Sequence, residues 1–299
     1  MAVAQQRFEG SPLSFSADFR ARYGHLPLKK ASKTPKINLR RLQEEDAKQP
    51  GAPRFSAPLK VRYNLENAGQ WLELEDGSGL WRLKVESAGA IALAALYRAY
   101  TFASNPKSGR FMTGFIQGQT AIIEYYEPAA VRGQGRLEIF RLDHVYHRDN
   151  FQAAQRPPEA ASGANFGFGA SFPCHKNANC PEGSSWEPQK RSTCLIFMVM
   201  EEGIIGCSGT LLNNTAEDGT PYVLSAYHCN LGYTPLYDLW RFDYAYSSPD
   251  CHNPAQEPGY NSILGCTFRA SRQQSDFLLL EMDGPIPPGY NLFFSGWSR

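Results

Sequence analysis

A histidine and an aspartate, 48 residues apart, are the residues best suited to chemistry in this chain. His228 follows the strand-like run 222–226, and Cys229 comes directly after it. Asp276 begins an almost wholly apolar run, where a buried carboxylate is costly without a donor. A histidine N–H is a natural donor, and a histidine held by a carboxylate is the base and orienter of a nucleophilic hydrolase. A core histidine beside a structural disulfide is the alternative interpretation of this local sequence.

The cysteines indicate disulfide bonds rather than a metal site. All seven lie in the second half of the chain, and none forms a CxxC pair with metal-like spacing. Disulfides predict an oxidising compartment, and the odd count leaves at least one thiol without a partner in this chain. A bridge between Cys207 and Cys229 would fix the backbone beside the imidazole. Its 22-residue loop would contribute about 3 kcal/mol.

Length and charge narrow the class of protein. A chain of 299 residues suggests two domains. A net charge of +1 gives no electrostatic reason to expect a nucleic acid or an anionic membrane as partner. The longest apolar run, 88–97, is too short to span a bilayer, and no metal or other cofactor is predicted.

The first half of the sequence predicts a polar segment followed by a β-rich domain. Residues 1–59 are broken by prolines and carry a basic run followed by an acidic one, which predicts an extended segment of low structure. Residues 60–150 alternate between apolar and polar, and "WLELEDGSGLWRLKVES" predicts a β-hairpin. His144 and His147 would face opposite sides of one strand, so they do not indicate a metal site.

The second half predicts a linker and an all-β domain. Residues 151–170 are rich in Ala, Gly and Pro without periodicity, which is typical of an exposed linker open to proteolytic processing. Residues 171–299 contain many short strand-like runs separated by turn residues and no convincing helix. This pattern predicts an all-β barrel or sandwich.

The sequence then resembles a known family. "CSGTLLNNTAEDGTPYVLSAYHC" followed by "SDFLLLEMDGPIPPGYNLFFSGW" closely resembles the lysyl endopeptidase branch of bacterial trypsin-like serine proteases. The resemblance covers about 165–299, and "CHKNANCPEGSSWEPQKRS" looks like the start of the mature enzyme. Residues 60–150 are similar, less specifically, to the secreted propeptide of the family. The resemblance implies the first β-barrel of a chymotrypsin-like double barrel, preceded by a β-rich propeptide-like domain.

The resemblance also assigns roles to residues. It makes His228 the general base and Asp276 its orienter. It implies a Cys207–Cys229 bridge and a Cys180–Cys251 bridge. In the family pattern Cys174 bridges to a distant downstream cysteine that this chain does not contain. Cys194 and Cys266 are outside that pattern, and we expect them to pair with each other.

The catalytic serine of the family does not have a counterpart in this chain. It follows the aspartate in a G-x-S-G context of the second barrel, whereas the chain ends at Arg299. Ser208 lies on the strand before His228, and Ser295 lacks the glycine framing. We therefore expect a fragment of a secreted serine endopeptidase precursor, inactive as it stands and with the second barrel missing. No apolar signal-peptide core precedes Ala2-Val3-Ala4, so we expect a signal peptide to be missing from the N-terminus.

Expected partners follow from the same resemblance. They are protein or peptide substrates, with the propeptide-like domain acting on the protease domain in cis. A noncatalytic secreted binding or adhesion module derived from a protease is the alternative. That alternative requires Cys174 to be free or bridged between molecules, and a free-thiol titration would discriminate the two.

Overall fold

The structure is a computed structural model that describes residues 12–25, 28–99, 108–147, 176–252 and 259–297. The chain forms two compact units. One consists of Met1–Ile37 and Pro58–Tyr146, and the other of Asn38–Ala57 and His147–Arg299. Strands dominate both units, which confirms the predicted all-β class. The expected linker, 151–170, lies outside the described residues.

In its described residues the first unit contains one α-helix and two sheets. The helix is α1 (Ala17–Tyr23), and its N-cap Ser16 accepts a hydrogen bond from Phe19 N. The strands are β1 (Ser32–Lys33), β2 (Ser56–Asn64), β3 (Gln70–Glu73), β4 (Gly79–Glu86), β5 (Ala92–Ala99), β6 (Arg110–Met112), β7 (Ile116–Gln117), β8 (Thr120–Glu127) and β9 (Leu137–Val145). β2 begins in the second unit and continues into the first.

The strands of the first unit pair into two sheets. β4 pairs with β3, β8 and the short parallel β1, while the second sheet runs β2-β9-β5-β6 with β7 also on β5. The predicted hairpin is confirmed, since Glu73 pairs with Gly79 and Trp71 with Trp81. His144 is buried, and its Nδ1 lies 2.7 Å from Ser87 Oγ.

The described residues of the second unit form a seven-stranded antiparallel sheet with two short α-helices. The helices are α2 (Leu39–Asp46) and α3 (Glu187–Lys190). The strands are β10 (Thr193–Met200), β11 (Gly203–Leu212), β12 (Tyr222–Ser225), β13 (Arg241–Tyr244), β14 (Asn261–Leu264), β15 (Cys266–Arg272) and β16 (Phe277–Met282). Their order in the sheet is β14-β13-β10-β11-β12-β16-β15.

A single glycine joins the two outer strands of this sheet. Only Gly265 separates β14, which pairs with β13, from β15, which pairs with β16. Its φ of +77° is a conformation that L side chains rarely adopt. The first and last strands are thus consecutive in the chain, and the sheet closes into a barrel. Fully buried side chains fill it, including Ile196, Trp240 and Phe242.

The expectation of low structure for residues 1–59 is wrong where α1 and α2 form. The basic and acidic runs pair four residues apart on α2, through Arg40–Glu44 at 3.0 Å and Arg41–Glu45 at 2.9 Å. Asn38 caps the helix by accepting a hydrogen bond from Arg41 N. Because side chains four apart share one face of a helix, the charge pattern is a helical one.

Candidate active site

His228 lies on a short 3₁₀ turn, not on the strand itself. β12 ends at Ser225, and the turn Tyr227–Asn230 follows directly. Cys229, also in the turn, is fully buried and forms a disulfide with Cys207 on the neighbouring β11. The bridge therefore ties the turn to the barrel at the residue next to the imidazole.

Asp276 is brought to His228 by the pairing of two strands. β16 starts at Phe277 and pairs with β12 so that Leu278 faces Ser225. Asp276 has φ 50° and ψ 38°, a left-handed conformation that aspartate tolerates better than most residues. This bend lies beside the 3₁₀ turn, where Tyr227 N donates to Asp276 O at 3.2 Å.

Two hydrogen bonds connect the aspartate to the histidine. His228 Nδ1 lies 2.7 Å from Asp276 Oδ2, and His228 N donates to Asp276 Oδ1 at 2.9 Å. One carboxylate thus engages both the ring and the backbone of the same residue. Each oxygen has its own donor, so the carboxylate fixes the position of the turn and the orientation of the imidazole together.

The charge on Asp276 is stabilised by the same contacts. The His228 side chain, followed by the His228 backbone N–H, lowers the pKa of Asp276 below its ordinary value. The expectation that this carboxylate is buried is wrong for this chain, because its side chain is 50% exposed and that of His228 is 57% exposed. Hydrogen bonding rather than desolvation therefore governs its ionisation.

Two disulfides form in the described part of the chain. Cys180 bridges to Cys251, and Cys207 to Cys229, the pairs that the resemblance implied. The expected pairing of Cys194 with Cys266 is wrong, since both are free and buried. Cys174 lies outside the described residues.

Each of these two thiols contacts a group other than the second cysteine. The Cys194 thiol hydrogen-bonds to Tyr244, which is paired with it across β10 and β13. The Tyr244 hydroxyl lies 3.6 Å from the sulfur of Met282, and Met282 is the strand partner of Cys266. The Cys266 thiol hydrogen-bonds to the Tyr237 carbonyl at 3.5 Å. Each cysteine thus has its own partner, a long-range arrangement that sequence spacing does not reveal.

The two serines considered from the sequence have structural contacts. Ser208 lies on β11, and its carbonyl accepts a hydrogen bond from Ser225 Oγ. Ser295 is bridged to Leu212 and donates through its hydroxyl to Ser192 Oγ at 2.8 Å. In the described ranges, the side-chain contacts of the His228 ring are with Asp276 through Nδ1 and with Cys229 Sγ, 3.9 Å from Nε2.

A depression of about 600 Å³ adjoins the turn that carries His228. Its lining includes Ser208, Gly209, Leu224, Ser225 and Ala226, which are contributed by β11, β12 and the start of the turn. Leu224 is 37% exposed there. The apolar side chain of Leu224, four residues before His228, is thus partly exposed at this depression.

Sequence reasoning missed a backbone contact to His228 from far upstream. Ala52 N donates to His228 O at 3.3 Å, and Ala52 belongs to the unit that contains the barrel. Only an isolated aromatic, Phe55, in an otherwise polar segment hinted that this part of the chain is buried.

The described residues contain neither a metal-binding cluster nor a membrane-spanning helix. No group of three or more His, Cys, Asp or Glu side chains there is placed to hold a metal ion. No helix in the same ranges has the length and apolar character needed to cross a membrane.

Comparison with known proteins matches the C-terminal part of the chain to one family. Residues 168–299 match the family model described as lysyl endopeptidase, C-terminal domain. A lysyl endopeptidase of Pseudomonas aeruginosa is 26% identical over 293 residues. The match includes 83% of this chain and 60% of the length of that relative. The barrel with His228 and Asp276 lies inside the matched region.

Proposed function

Since this chain is a relative of the lysyl endopeptidases, we propose that it is part of a secreted serine endopeptidase precursor. The observation that carries the proposal is the 2.7 Å contact between His228 Nδ1 and Asp276 Oδ2, beside a disulfide that ties down the same turn. A histidine oriented in this way has its other nitrogen available to accept a proton. The comparisons do not favour a noncatalytic binding module.

In the proposed reaction His228 is the general base. Its Nε2 takes the proton of a serine hydroxyl as the serine oxygen attacks the peptide carbonyl, and it later gives that proton to the leaving amine. Asp276 is a positioning residue, because it holds the imidazole through Nδ1 and stabilises the imidazolium. Neither step needs a cofactor.

We propose that the serine comes from a second barrel that follows residue 299 in the precursor. The Ser295 hydroxyl is bonded to Ser192, and the hydrogen-bond contacts of the His228 ring in the described residues include no serine, which supports a source outside these residues. Residues 1–299 alone should then be inactive towards peptides. Residues 60–150 would act as a propeptide, and the name of the relative favours lysine as the residue before the cleaved bond.

The test begins with the source DNA beyond codon 299. A reading frame that continues to a G-x-S-G motif allows both products, residues 1–299 and the extended chain, to be assayed with matched lysyl and arginyl p-nitroanilides. We expect turnover by the extended chain only, and a loss of about four orders of magnitude in kcat for Asp276→Asn. A stop codon directly after residue 299, or full activity of a His228→Ala variant, would refute the proposal.

A further inference from the structure

A short segment that follows α2 in the chain is hydrogen-bonded to the barrel. Residues 49–56, named the strap below, follow α2, end at the first residue of β2 and belong to the barrel unit. Phe55 N donates to Ile204 O at 3.0 Å, and Ile204 N donates to Ser56 Oγ at 2.9 Å. The second bond joins residues 148 positions apart in the chain. The two bonds satisfy the backbone C=O and N–H of Ile204, which lies on the barrel strand β11.

Phe55 is the apolar anchor of the strap. It is only 2% exposed, and its ring meets that of Phe197 edge-on, with centroids 6.2 Å apart. Phe197 lies on β10, a central strand of the barrel. Edge-on aromatic pairs add to the free energy of burial, so this contact favours the docked position of the strap.

Arg54 joins the strap to α2 and to the barrel at once. Its guanidinium donates from Nε to Asp46 Oδ1 at 2.7 Å, from Nη2 to Glu45 Oε2 at 2.8 Å, and from Nη1 to Glu202 O at 2.9 Å. The side chain is 9% exposed. A buried guanidinium is stable only when its charge and donors are met, and here two carboxylates and a carbonyl meet them.

The other end of the strap contacts the turn that carries His228. Ala52 N donates to His228 O at 3.3 Å. A Cβ atom at Gly51 would lie 2.4 Å from Leu231 O and 2.9 Å from His228 O. The strap therefore approaches the backbone of the turn so closely that only glycine fits at residue 51.

The barrel has matching glycines where the strap passes. A Cβ at Gly203 would lie 2.3 Å from Ser56 O, and its next two neighbours are side-chain atoms of Arg54. A Cβ at Gly232 would lie 2.8 Å from Gln49 Oε1, and its next two neighbours belong to Pro50. At both positions the nearest atoms come from the strap alone, so the two surfaces are shaped to each other.

We infer that the barrel surface around Gly203 and Gly232 is a docking surface for the chain's own strap, and that the docked strap holds the turn bearing His228. The inference rests on the proposed function only for the catalytic meaning of His228. The strap is held at one end by Phe55 and Arg54 and presses on the turn at the other through Gly51 and Ala52. It is thus a positioning element for the candidate base.

Amide hydrogen exchange on the full chain tests the docking. In an Arg54→Ala variant, we expect exchange of the Ile204 amide, which donates to Ser56, to accelerate about tenfold or more. Amides of β16 should not change. Arg40→Ala is the matched control, because Arg40 lies on α2 with an exposed partner, and it should leave Ile204 protected. Unchanged exchange at Ile204, or an equal acceleration throughout β16, would overturn the inference.

A second pair of variants tests the hold on the turn. Gly51→Ala should broaden the downfield proton NMR signal of the His228 Nδ1 proton, whereas Gly284→Ala, where a Cβ meets open space, should not. A synthetic peptide of residues 44–57, added to the Arg54→Ala chain, should restore protection of Ile204, and the same peptide with Arg54→Ala should not. A sharp His228 signal in Gly51→Ala would refute the positioning role. None of these readouts depends on proteolytic activity, so the proposed function can fail independently.

Discussion

Both carboxylate oxygens of Asp276 contact His228, so a replacement side chain must keep two contacts rather than one. Because Oδ2 meets the ring and Oδ1 meets the backbone N–H, protonation of the carboxylate weakens both bonds. The left-handed backbone at residue 276 narrows the usable replacements further, since asparagine is the isosteric side chain that tolerates it. Asp276→Asn is therefore the variant that changes charge with least change of shape.

The effect of Asp276→Asn on stability should depend on pH. The pKa of Asp276 is lowered in the folded chain, so its contribution to the free energy of unfolding is present above the unfolded value of about 3.9. That contribution is lost as the pH falls through the folded pKa. We expect the urea midpoints of the chain and the variant to differ at neutral pH and to converge in acid.

A double-mutant cycle provides the control for this pH effect. A His228→Ala background removes the side-chain hydrogen bond that is the largest cause of the lowered pKa of Asp276. In that background Asp276→Asn should have a smaller effect on stability, with a weaker pH dependence. A midpoint difference that is the same at all pH values in both backgrounds would contradict the assignment of the shift to His228.

Cys194 and Cys266 should be unreactive in the folded chain. Burial raises the pKa of Cys194 to about 12 and that of Cys266 well above its usual value, and only the thiolate reacts. Labelling with N-ethylmaleimide before unfolding and iodoacetamide after it should place the second label on both cysteines. Native labelling of either residue, or a disulfide-linked Cys194–Cys266 peptide, would contradict the structure.

At the scale of elements, closure of the barrel depends on one residue that has no side chain. Gly265 joins two strands, has a positive φ, and leaves room for the carboxylate of Asp283. A Cβ at this position would lie 2.8 Å from Asp283 Oδ2 and 3.3 Å from Asp238 O. The substitution to alanine therefore adds a steric conflict to the conformational one.

Gly219 offers a control that separates these two costs. It has a φ of +74°, and a Cβ there meets open space. We expect Gly219→Ala to lower the free energy of unfolding by about 1 kcal/mol, and Gly265→Ala by about 2 kcal/mol because the Asp283 carboxylate must also move. Chemical denaturation measures both values. Equal losses would show that steric conflict at Gly265 is negligible.

The strands of the barrel were predictable, whereas the contacts that complete the unit were not. The apolar runs at 193–200 and 277–282 coincide with β10 and β16. β10 is buried on both faces over most of its length, and such a strand requires a continuous apolar sequence. The charges of α2 are helical in spacing but weak evidence alone. The contacts of Arg54 with Glu202 and of Ser56 with Ile204 span 148 residues, and no local pattern encodes them.

The candidate site divides in the same way. His228 and Asp276 were predicted from their types and from the resemblance, since a cysteine directly follows one and the other precedes an apolar strand. Their exposure, the backbone bond to Asp276 and the contact from Ala52 depend on tertiary packing. The pairing error at Cys194 has the same origin, because a count of cysteines cannot show that Cys194 lies against Tyr244 and Cys266 against Tyr237.

At the scale of the whole molecule, the chain enters the barrel unit, leaves it and returns. Residues 38–57 belong to that unit, residues 58–146 to the other, and the barrel strands follow. Cleavage within 151–170, where we expect processing, therefore yields an N-terminal fragment that still carries the strap. We predict that the two fragments co-elute in size-exclusion chromatography under native conditions and separate in urea.

Phe55 should determine whether the cleaved fragments stay together. Truncating this buried ring in Phe55→Ala should cost about 3 kcal/mol or more, which is over a hundredfold in the dissociation constant of the fragments. Phe15→Ala is the matched control, because Phe15 is 63% exposed, and it should leave co-elution unchanged. If the Phe55→Ala fragments co-elute as firmly as the unchanged ones, the strap is not what retains the N-terminal part. Contacts elsewhere in the chain must then hold it.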